Sequence, residues 1–282
     1  MRSTRPTIIL EAGAYGTSAD WAQIEKALAK DGRVCAYDRL GLGASPDRAT
    51  VPTAETIARD LAVLLDRLGE NGPVVIIGHS NGALYAEAFA SLFPERTTGL
   101  GYVDGVGTDD LDNPLTLSAI TGEERLADVA VVVQRMGLAK LVVGRIVDAF
   151  GLQGQAARRK RHALLSARHL ENARQEVRQI LPSLAQIRAD GPPPDSIPVA
   201  AIVAADAPDG PLAKAWRAAQ VAPAHRACRG WVLDAVGASH VSPLGRDRAY
   251  VLAAARWLER EAIERQAQAS PAMTCTPARY RS

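Results

Sequence analysis

The chain has 282 residues, of which 47% are hydrophobic and 23% charged, which suits one large domain or a core with an insertion and excludes wholesale disorder. Its 33 basic and 31 acidic residues leave a formal net charge of +2, which excludes the strong uniform field of a nucleic-acid-binding domain. The chain has three cysteines, an odd number that predicts no disulfide framework. It has no long apolar run, which predicts no membrane span. It also lacks an apolar leader, which predicts no signal peptide and a cytoplasmic location.

Strand and helix patterns alternate along the first hundred residues. The predicted elements are a strand at 7–10, a helix at 18–30, a strand at 34–37, a helix at 53–68, a strand at 74–77, a helix at 81–92 and a strand at 100–103. The strands are apolar throughout, which is typical of a parallel sheet buried on both faces. We therefore predict an α/β fold with a mostly parallel, doubly wound sheet.

The alternation stops between residues 107 and 195, where only helical patterns occur. They lie at 122–136, 138–150, 155–169 and 171–190, and a Pro-rich linker follows at 191–194. Alternation then resumes with a strand at 198–204, a helix at 211–220, a strand at 230–234 and a helix at 245–262. These patterns predict a core of residues 1–106 and 196–264, an inserted all-helical domain of residues 107–195 and a flexible tail of residues 265–282.

The strand at 74–77 runs directly into Gly78-His79-Ser80-Asn81-Gly82, and a helix follows. This is the G-x-S-x-G pattern in the strand, sharp turn and helix that it requires, a turn that exposes the serine hydroxyl above the sheet edge. Glycine two residues to either side avoids a Cβ clash in such a turn. The alternative is a chance match on an ordinary tight turn, against which the flanking strand and helix argue. Ser80 is the candidate nucleophile.

A serine nucleophile needs a general base, and His240 is the candidate. It follows the last predicted strand, so its loop can fold over the carboxyl edge of the sheet where Ser80 stands. The other four histidines are assigned elsewhere: His79 to a structural position in the elbow, His162 and His169, together with the basic run 158–161, to a solvated helix face, and His225 to a loop.

The base needs a carboxylate that fixes its tautomer, and two aspartates qualify. Asp104 ends the strand after the nucleophile helix, and Asp206 follows the strand at 198–204. Both strand ends lie at the carboxyl edge of the sheet, so position in the chain leaves the choice open.

Two backbone N–H groups are candidates for stabilising an oxyanion. One belongs to Asn81, directly after the nucleophile, and the other to Ala14, in the small-residue turn after the first strand. The same glycines would also serve a plain strand-to-helix turn.

Together these motifs resemble the α/β-hydrolase fold superfamily. The resemblance covers residues 7–105 and 196–260 and is carried by four segments: 10–16, 37–45, 78–82 and 237–240. It implies a Ser-His-Asp triad of Ser80, His240 and Asp104, since Asp206 stands one residue early for the family's usual acid position. It also implies that the helical insertion is a cap. The family usually has a β-hairpin before the first strand, but only six residues precede that strand here, so we expect the hairpin either to be absent or to lie upstream of Met1.

The resemblance implies a serine hydrolase that acts through an acyl-enzyme, on a small to medium carboxylic ester or lactone. It implies no organic cofactor and no metal. A serine in the elbow argues against haloalkane dehalogenases and epoxide hydrolases, which need aspartate there. Two alternatives stay open: a non-hydrolytic receptor or ligand-binding protein, and an amide or C–C bond hydrolase similar to proline iminopeptidases. We expect a small-molecule substrate and no nucleic-acid partner, and leave the oligomeric state open.

Overall fold

The computed structural model describes residues 5–205 and 210–267. The strands in these ranges are β1 (Ile8–Glu11), β2 (Val34–Ala36), β3 (Val74–His79), β4 (Thr97–Val103), β5 (Val199–Ala205) and β6 (Gly230–Val236). They form one sheet in the order β2-β1-β3-β4-β5-β6, and every neighbouring pair is parallel. The predicted parallel α/β sheet is confirmed.

Helices connect the strands. They are α1 (Ala22–Leu28), α2 (Ala54–Arg67), α3 (Asn81–Leu92), α4 (Pro114–Arg135), α5 (Val143–Ala149), α6 (Gly154–Leu165), α7 (Ala167–Arg178), α8 (Ile180–Asp190), α9 (Pro211–Arg226) and α10 (Ala249–Ala267). Five of them, α4 to α8, lie between β4 and β5, in residues 107–195, which we call the helical segment. In the ranges that the structure describes, this segment contains no strand.

Two apolar layers bury the two faces of the sheet. Alternate residues of each strand point to opposite faces, so Ile9 and Ile76 pack with α2 and α3, whereas Leu10 and Ile77 pack with α1 and α10. Burying a large aliphatic side chain in this way contributes about 1.5–3 kcal/mol. Coverage on both faces explains why the strands are apolar throughout rather than alternating.

Capping residues explain where the helices differ from the predicted bounds. The predicted helix 122–136 begins eight residues earlier, because the Asn113 side chain accepts the Leu115 N–H (2.9 Å) and Pro114 takes the first position. The predicted helix 155–169 divides at Ser166, whose hydroxyl accepts the His169 N–H. His225 lies inside α9 rather than in a loop, since α9 continues to Arg226.

Three further observations concern features that the sequence raised. Cys35 is a free thiol, whereas Cys228 is disulfide-bonded, a bond that the expectation of no disulfide framework did not anticipate. None of the helices within residues 5–205 and 210–267 combines the length and apolarity needed to cross a membrane. Residues 268–282 of the predicted tail lie outside the described ranges, and α10 ends at Ala267.

The strand order places the candidate site. Strands run outward in both directions from the neighbouring pair β1 and β3, and the crevice at the carboxyl ends of such a pair is where open parallel sheets bind ligands. The elbow (residues 78–82) joins the end of β3 to α3 there, and the β1 turn (residues 12–16) follows β1. Asp104 follows β4 at the same edge.

Candidate active site

The elbow holds Ser80 in a conformation that few residues adopt. Ser80 has φ 53° and ψ −126° between β3 and α3, a backbone that costs energy for a residue with a side chain. A Cβ on Gly78 would overlap the backbone of Gly82, and a Cβ on Gly82 would overlap the carbonyl of Glu11. The Ser80 N–H donates to the Val103 carbonyl at 3.0 Å. Both positions therefore have room only for glycine, and the backbone hydrogen bond to β4 holds the turn in place.

His240 and Asp104 are in direct contact. The distance from His240 Nδ1 to Asp104 Oδ2 is 2.6 Å, and a carboxylate can only accept, so Nδ1 carries the proton and donates it. This tautomer leaves Nε2 as the basic nitrogen of the ring. The His240 side chain is 49% exposed and that of Asp104 is 10% exposed. The pair thus has a shielded acid and an accessible base.

Asp104 is oriented by three donors. Besides His240, its Oδ1 accepts the Ala204 N–H at 3.1 Å and the Gln220 side-chain N–H at 2.9 Å. Burial by itself raises the pKa of Asp104, but these hydrogen bonds outweigh it and hold the pKa below its ordinary value. Asp104 is therefore ionised at neutral pH, as a group that stabilises an imidazolium must be.

His79 joins the elbow to the loop of His240. Its Nε2–H donates to the His240 carbonyl at 2.9 Å, and the two rings are 4.7 Å apart. Burial, followed by the charge of His240, lowers the pKa of His79 to about 3. His79 therefore stays neutral, which fits the structural position predicted for it.

The β1 turn lies directly against the elbow. A Cβ on Gly13 would come within 3.0 Å of Ser80 Cβ, so glycine permits the close approach. The turn is closed by the Gly16 N–H, which donates to the Gly13 carbonyl at 3.0 Å, with Tyr15 at φ 55°. Ala14 lies within this turn. Across the gap, Asn81 is the first residue of α3, where a backbone N–H has no partner inside its helix.

Comparison with known proteins identifies the fold. Residues 6–142 match the family model described as alpha/beta hydrolase fold. The wild-type Cfl2 structure from Burkholderia cenocepacia superposes with a TM-score of 0.72 at 20% identity, covering 92% of this chain and 90% of that one. The chain has the α/β-hydrolase fold. A thermophilic esterase from Thermogutta terrifontis has the same fold, with a TM-score of 0.63, 23% identity and coverage of 91% and 90%.

Curated relatives match over a shorter stretch. A protein named as a candidate carbamate hydrolase, RutD, from Stutzerimonas stutzeri is 38% identical over 103 residues, 36% of this chain and 38% of that protein. For the first relatives, the matched stretch spans about a third to two fifths of their own length.

Within this α/β-hydrolase fold, the structure describes one of the two candidate acids, Asp104. Asp104 contacts His240, whereas Asp206 lies outside the described residues, one position beyond the end of β5. Within residues 5–205 and 210–267, no cluster of three His, Cys, Asp or Glu side chains is arranged to hold a metal ion.

Two predicted solvent-facing residues are buried. Lys160 and His169 are each 1% exposed, so their assignment to a solvated helix face is wrong, although Arg158, Arg159 and His162 are exposed. Both buried side chains reach the carbonyl of Tyr15 in the β1 turn: Lys160 Nζ at 3.0 Å and His169 Nε2 at 3.2 Å.

Sequence reasoning missed two polar neighbours of the site. Gln220 on α9 is buried and donates to Asp104; a glutamine among the buried alanines of that helix is the signal that could have found it. Glu123 on α4 accepts the Asn81 side-chain N–H at 3.3 Å. Burial raises the pKa of Glu123, opposed by that hydrogen bond and by His240. Glu123 and Asn81 are far apart in the chain, so no local pattern predicts the contact.

Proposed function

We propose that this protein is a serine hydrolase in which Ser80, His240 and Asp104 form a catalytic triad, acting on a small to medium carboxylic ester or lactone. One observation carries the proposal: the 2.6 Å hydrogen bond from His240 to the buried, ionised Asp104, beside a serine held in a strained elbow. A binding protein has no use for a serine, a tautomer-fixed imidazole and a shielded carboxylate together.

The chemistry follows from the protonation states. Asp104 keeps the proton on Nδ1 of His240, so Nε2 removes the proton of the Ser80 hydroxyl as its oxygen attacks the substrate carbonyl. Asp104 stabilises the imidazolium that results. The imidazolium then protonates the leaving alcohol, and the acyl-enzyme forms at Ser80. A water molecule, deprotonated by His240, attacks the ester and releases the acid.

The oxyanion is stabilised in this proposal by the backbone N–H groups of Asn81 and Ala14. Asn81 begins α3, whose N-terminal end carries partial positive charge toward the reacting centre. Ala14 lies in the turn that touches Ser80 through Gly13. Each such donor contributes about 10²–10³-fold to kcat in serine hydrolases.

The helical segment (residues 107–195) serves in this proposal as a cap on a core of residues 1–106 and 196–264. Its contacts with the elbow and the β1 turn, through Glu123, Lys160 and His169, support this role. A cap in that place selects the substrate.

The choice of esters rests on the nucleophile and on similar proteins. A serine elbow suits acyl transfer, and the names of similar proteins include an esterase, a methylesterase and a candidate carbamate hydrolase. Structures of a protein named as a candidate epoxide hydrolase, from Pseudomonas aeruginosa, share the fold at 19% identity, but that chemistry needs aspartate where Ser80 stands.

A second candidate is an amide hydrolase that recognises a free amine, as in proline iminopeptidases. Glu123 favours it, because it places a carboxyl group of the helical segment beside the elbow. A cationic amine would pair with that group, whereas a neutral ester would not.

Steady-state kinetics on a panel of p-nitrophenyl esters, lactones, carbamates and proline amides tests both candidates. We expect ester or lactone turnover in the wild type and a loss of at least about 10³-fold in Ser80→Ala and His240→Ala. His162→Ala, an exposed histidine of the helical segment, is the matched control and should keep wild-type rates. Normal ester turnover in either site variant contradicts the triad. Turnover of proline amides alone favours the second candidate.

A further inference from the structure

The β1 turn is held from its far side by a buried guanidinium. Arg39, which follows β2 and is 3% exposed, donates from Nη1 to the Ala12 carbonyl and from Nη2 to the Gly13 carbonyl, the latter at 2.9 Å. Two consecutive peptide units of the turn therefore have their oxygens fixed on the same group.

This contact sets the direction of the proposed oxyanion donor. In a trans peptide unit the C=O and the following N–H point in opposite directions within one plane. The Gly13 carbonyl points toward Arg39, so the N–H of Ala14 in the same peptide unit points the opposite way. Arg39 therefore affects the reaction only by orienting this peptide unit.

The guanidinium is itself fixed. Its Nε and Nη2 form a two-pronged pair with the Glu176 carboxylate (3.0 and 2.7 Å), and Nη1 also donates to Glu11 at 2.6 Å. With the two turn carbonyls, all five N–H donors of Arg39 are used. The ring of Tyr85 lies 4.7 Å from the guanidinium carbon. Glu176 belongs to α7, so the helical segment orients Arg39.

A further anchor, this one from the helical segment, holds the carbonyl of Tyr15. Lys160 donates to the Tyr15 carbonyl and forms a buried 2.7 Å ion pair with Asp20. His169 donates to the same oxygen from Nε2 and accepts the Gly43 N–H on Nδ1 at 3.1 Å. The turn is thus bound at three carbonyls by buried donors, and two of these donors come from the segment proposed as a cap.

We propose that Arg39 is a positioning residue for the oxyanion hole, and that Glu176 of the helical segment fixes the plane in which Arg39 acts. This rests on the proposed function and deepens it, because it assigns the cap a part in catalysis besides substrate choice. Packing of the helical segment against the core then also orients the Ala14 N–H.

Arg39→Lys is the first test, because lysine keeps the positive charge between Glu11 and Glu176 but lacks the planar five-donor fork. We expect kcat for an ester to fall about 10–100-fold while KM changes less than about threefold, as for loss of an interaction made in the transition state. Affinity for a trifluoromethyl ketone, whose adduct with Ser80 carries an oxyanion, should fall by the same factor as kcat/KM. A merely structural role would move KM or stability instead.

Arg39→Met with Glu11→Gln and Glu176→Gln is the second variant, designed so that no carboxylate is left unpaired. We expect it to fold, judged by its near-ultraviolet circular dichroism, and to lose about 10²–10³-fold in kcat. Arg48→Met is the matched control: Arg48 is a buried arginine of the same loop region, paired with Asp60 at 2.7 Å and not with the turn. It should lower the melting temperature and leave kcat unchanged.

The outcomes separate the two proposals. Wild-type turnover that Ser80→Ala abolishes, with unchanged kcat and ketone affinity in Arg39→Lys, overturns the positioning role alone. A wild type without Ser80-dependent turnover overturns the proposed function, and the positioning role fails with it. Failure of the second variant to fold leaves Arg39→Lys to decide.

Discussion

Two turns at the carboxyl edge of the sheet keep an unusual backbone by opposite means. The elbow is fixed by glycines two positions either side of Ser80 and by backbone hydrogen bonds, among them those that join Ser80 to Val103 and Val106. The β1 turn is fixed by distant side chains, namely Arg39 on its Ala12 and Gly13 carbonyls and Lys160 and His169 on Tyr15.

The two turns therefore differ in which part of the sequence determines their conformation. The elbow needs only a pentapeptide between a strand and a helix, so it can be recognised in any sequence. The β1 turn needs charges buried in the helical segment, so it is complete only when that segment is folded against the core. Substitutions on the two sides should therefore differ in what they damage.

The largest effect is expected on the elbow side, at Asp104. Asp104→Asn removes the charge that stabilises the His240 imidazolium and lets the ring take the wrong tautomer, so kcat should fall about 10³–10⁴-fold, or roughly 4–5 kcal/mol. The fold should persist, since asparagine can still accept from Ala204 and Gln220. Asp234→Asn, at an exposed ion pair with Arg217, is the control and should change kcat little.

The same carboxylate has a pH signature. The pKa of Asp104 is lowered in the folded protein, so its contribution to stability is present above its unfolded value near 4 and is lost as pH falls through the folded value. Wild-type stability should therefore fall in acid more steeply than that of Asp104→Asn. A loss of less than tenfold in kcat for Asp104→Asn would instead direct attention to Asp206.

A smaller effect, on stability first, is expected on the β1-turn side. Lys160→Met leaves Asp20 buried without its cation and should lower the free energy of unfolding by about 3–5 kcal/mol in urea denaturation. Adding Asp20→Asn removes the unpaired charge and should recover most of that loss. Lys140→Met, exposed on the same segment, should stay within about 0.5 kcal/mol of wild type. Equal losses at the two lysines would contradict the buried anchor.

The smallest effect is expected where the helical segment touches the elbow. Burial raises the pKa of Glu123 in the folded protein. The folded protein therefore binds the carboxyl proton more tightly than the unfolded chain does, and stability falls as pH rises from the unfolded pKa through the folded one. Glu123→Gln keeps the acceptor for Asn81 and removes the titration. It should be up to about 1 kcal/mol more stable than wild type at pH 8 and nearly equal at pH 4. Glu124→Gln, next along α4, serves as the control, and an identical pH profile for both variants would refute the assignment.

The sequence predicted what local periodicity and local motifs specify. Apolar strands alternating with amphipathic helices were sufficient for the parallel sheet, and the pattern around Ser80 was sufficient for the strained elbow. The helix at Pro114 was missed over its first eight residues because its start depends on an Asn113 cap rather than on an apolar stripe.

Charged residues inside the helical segment could not be assigned in that way. Lys160 stands among exposed arginines, and only the position of Asp20, 140 residues away, makes it a buried partner. Arg39 likewise acquires its role from Glu176 on α7. Such contacts depend on tertiary packing, which neither composition nor spacing encodes, and the same holds for Gln220 beside Asp104.

Fluorophosphonate labelling followed by peptide mapping tests the central assignment most directly, because it reports on the nucleophile without knowledge of the substrate. We expect one rapidly formed adduct on Ser80 in the wild type, none in Ser80→Ala, and slowed labelling in His240→Ala and Asp104→Asn. Wild-type protein that stays unlabelled at Ser80, or labelling that is as fast in His240→Ala as in wild type, would contradict the catalytic triad.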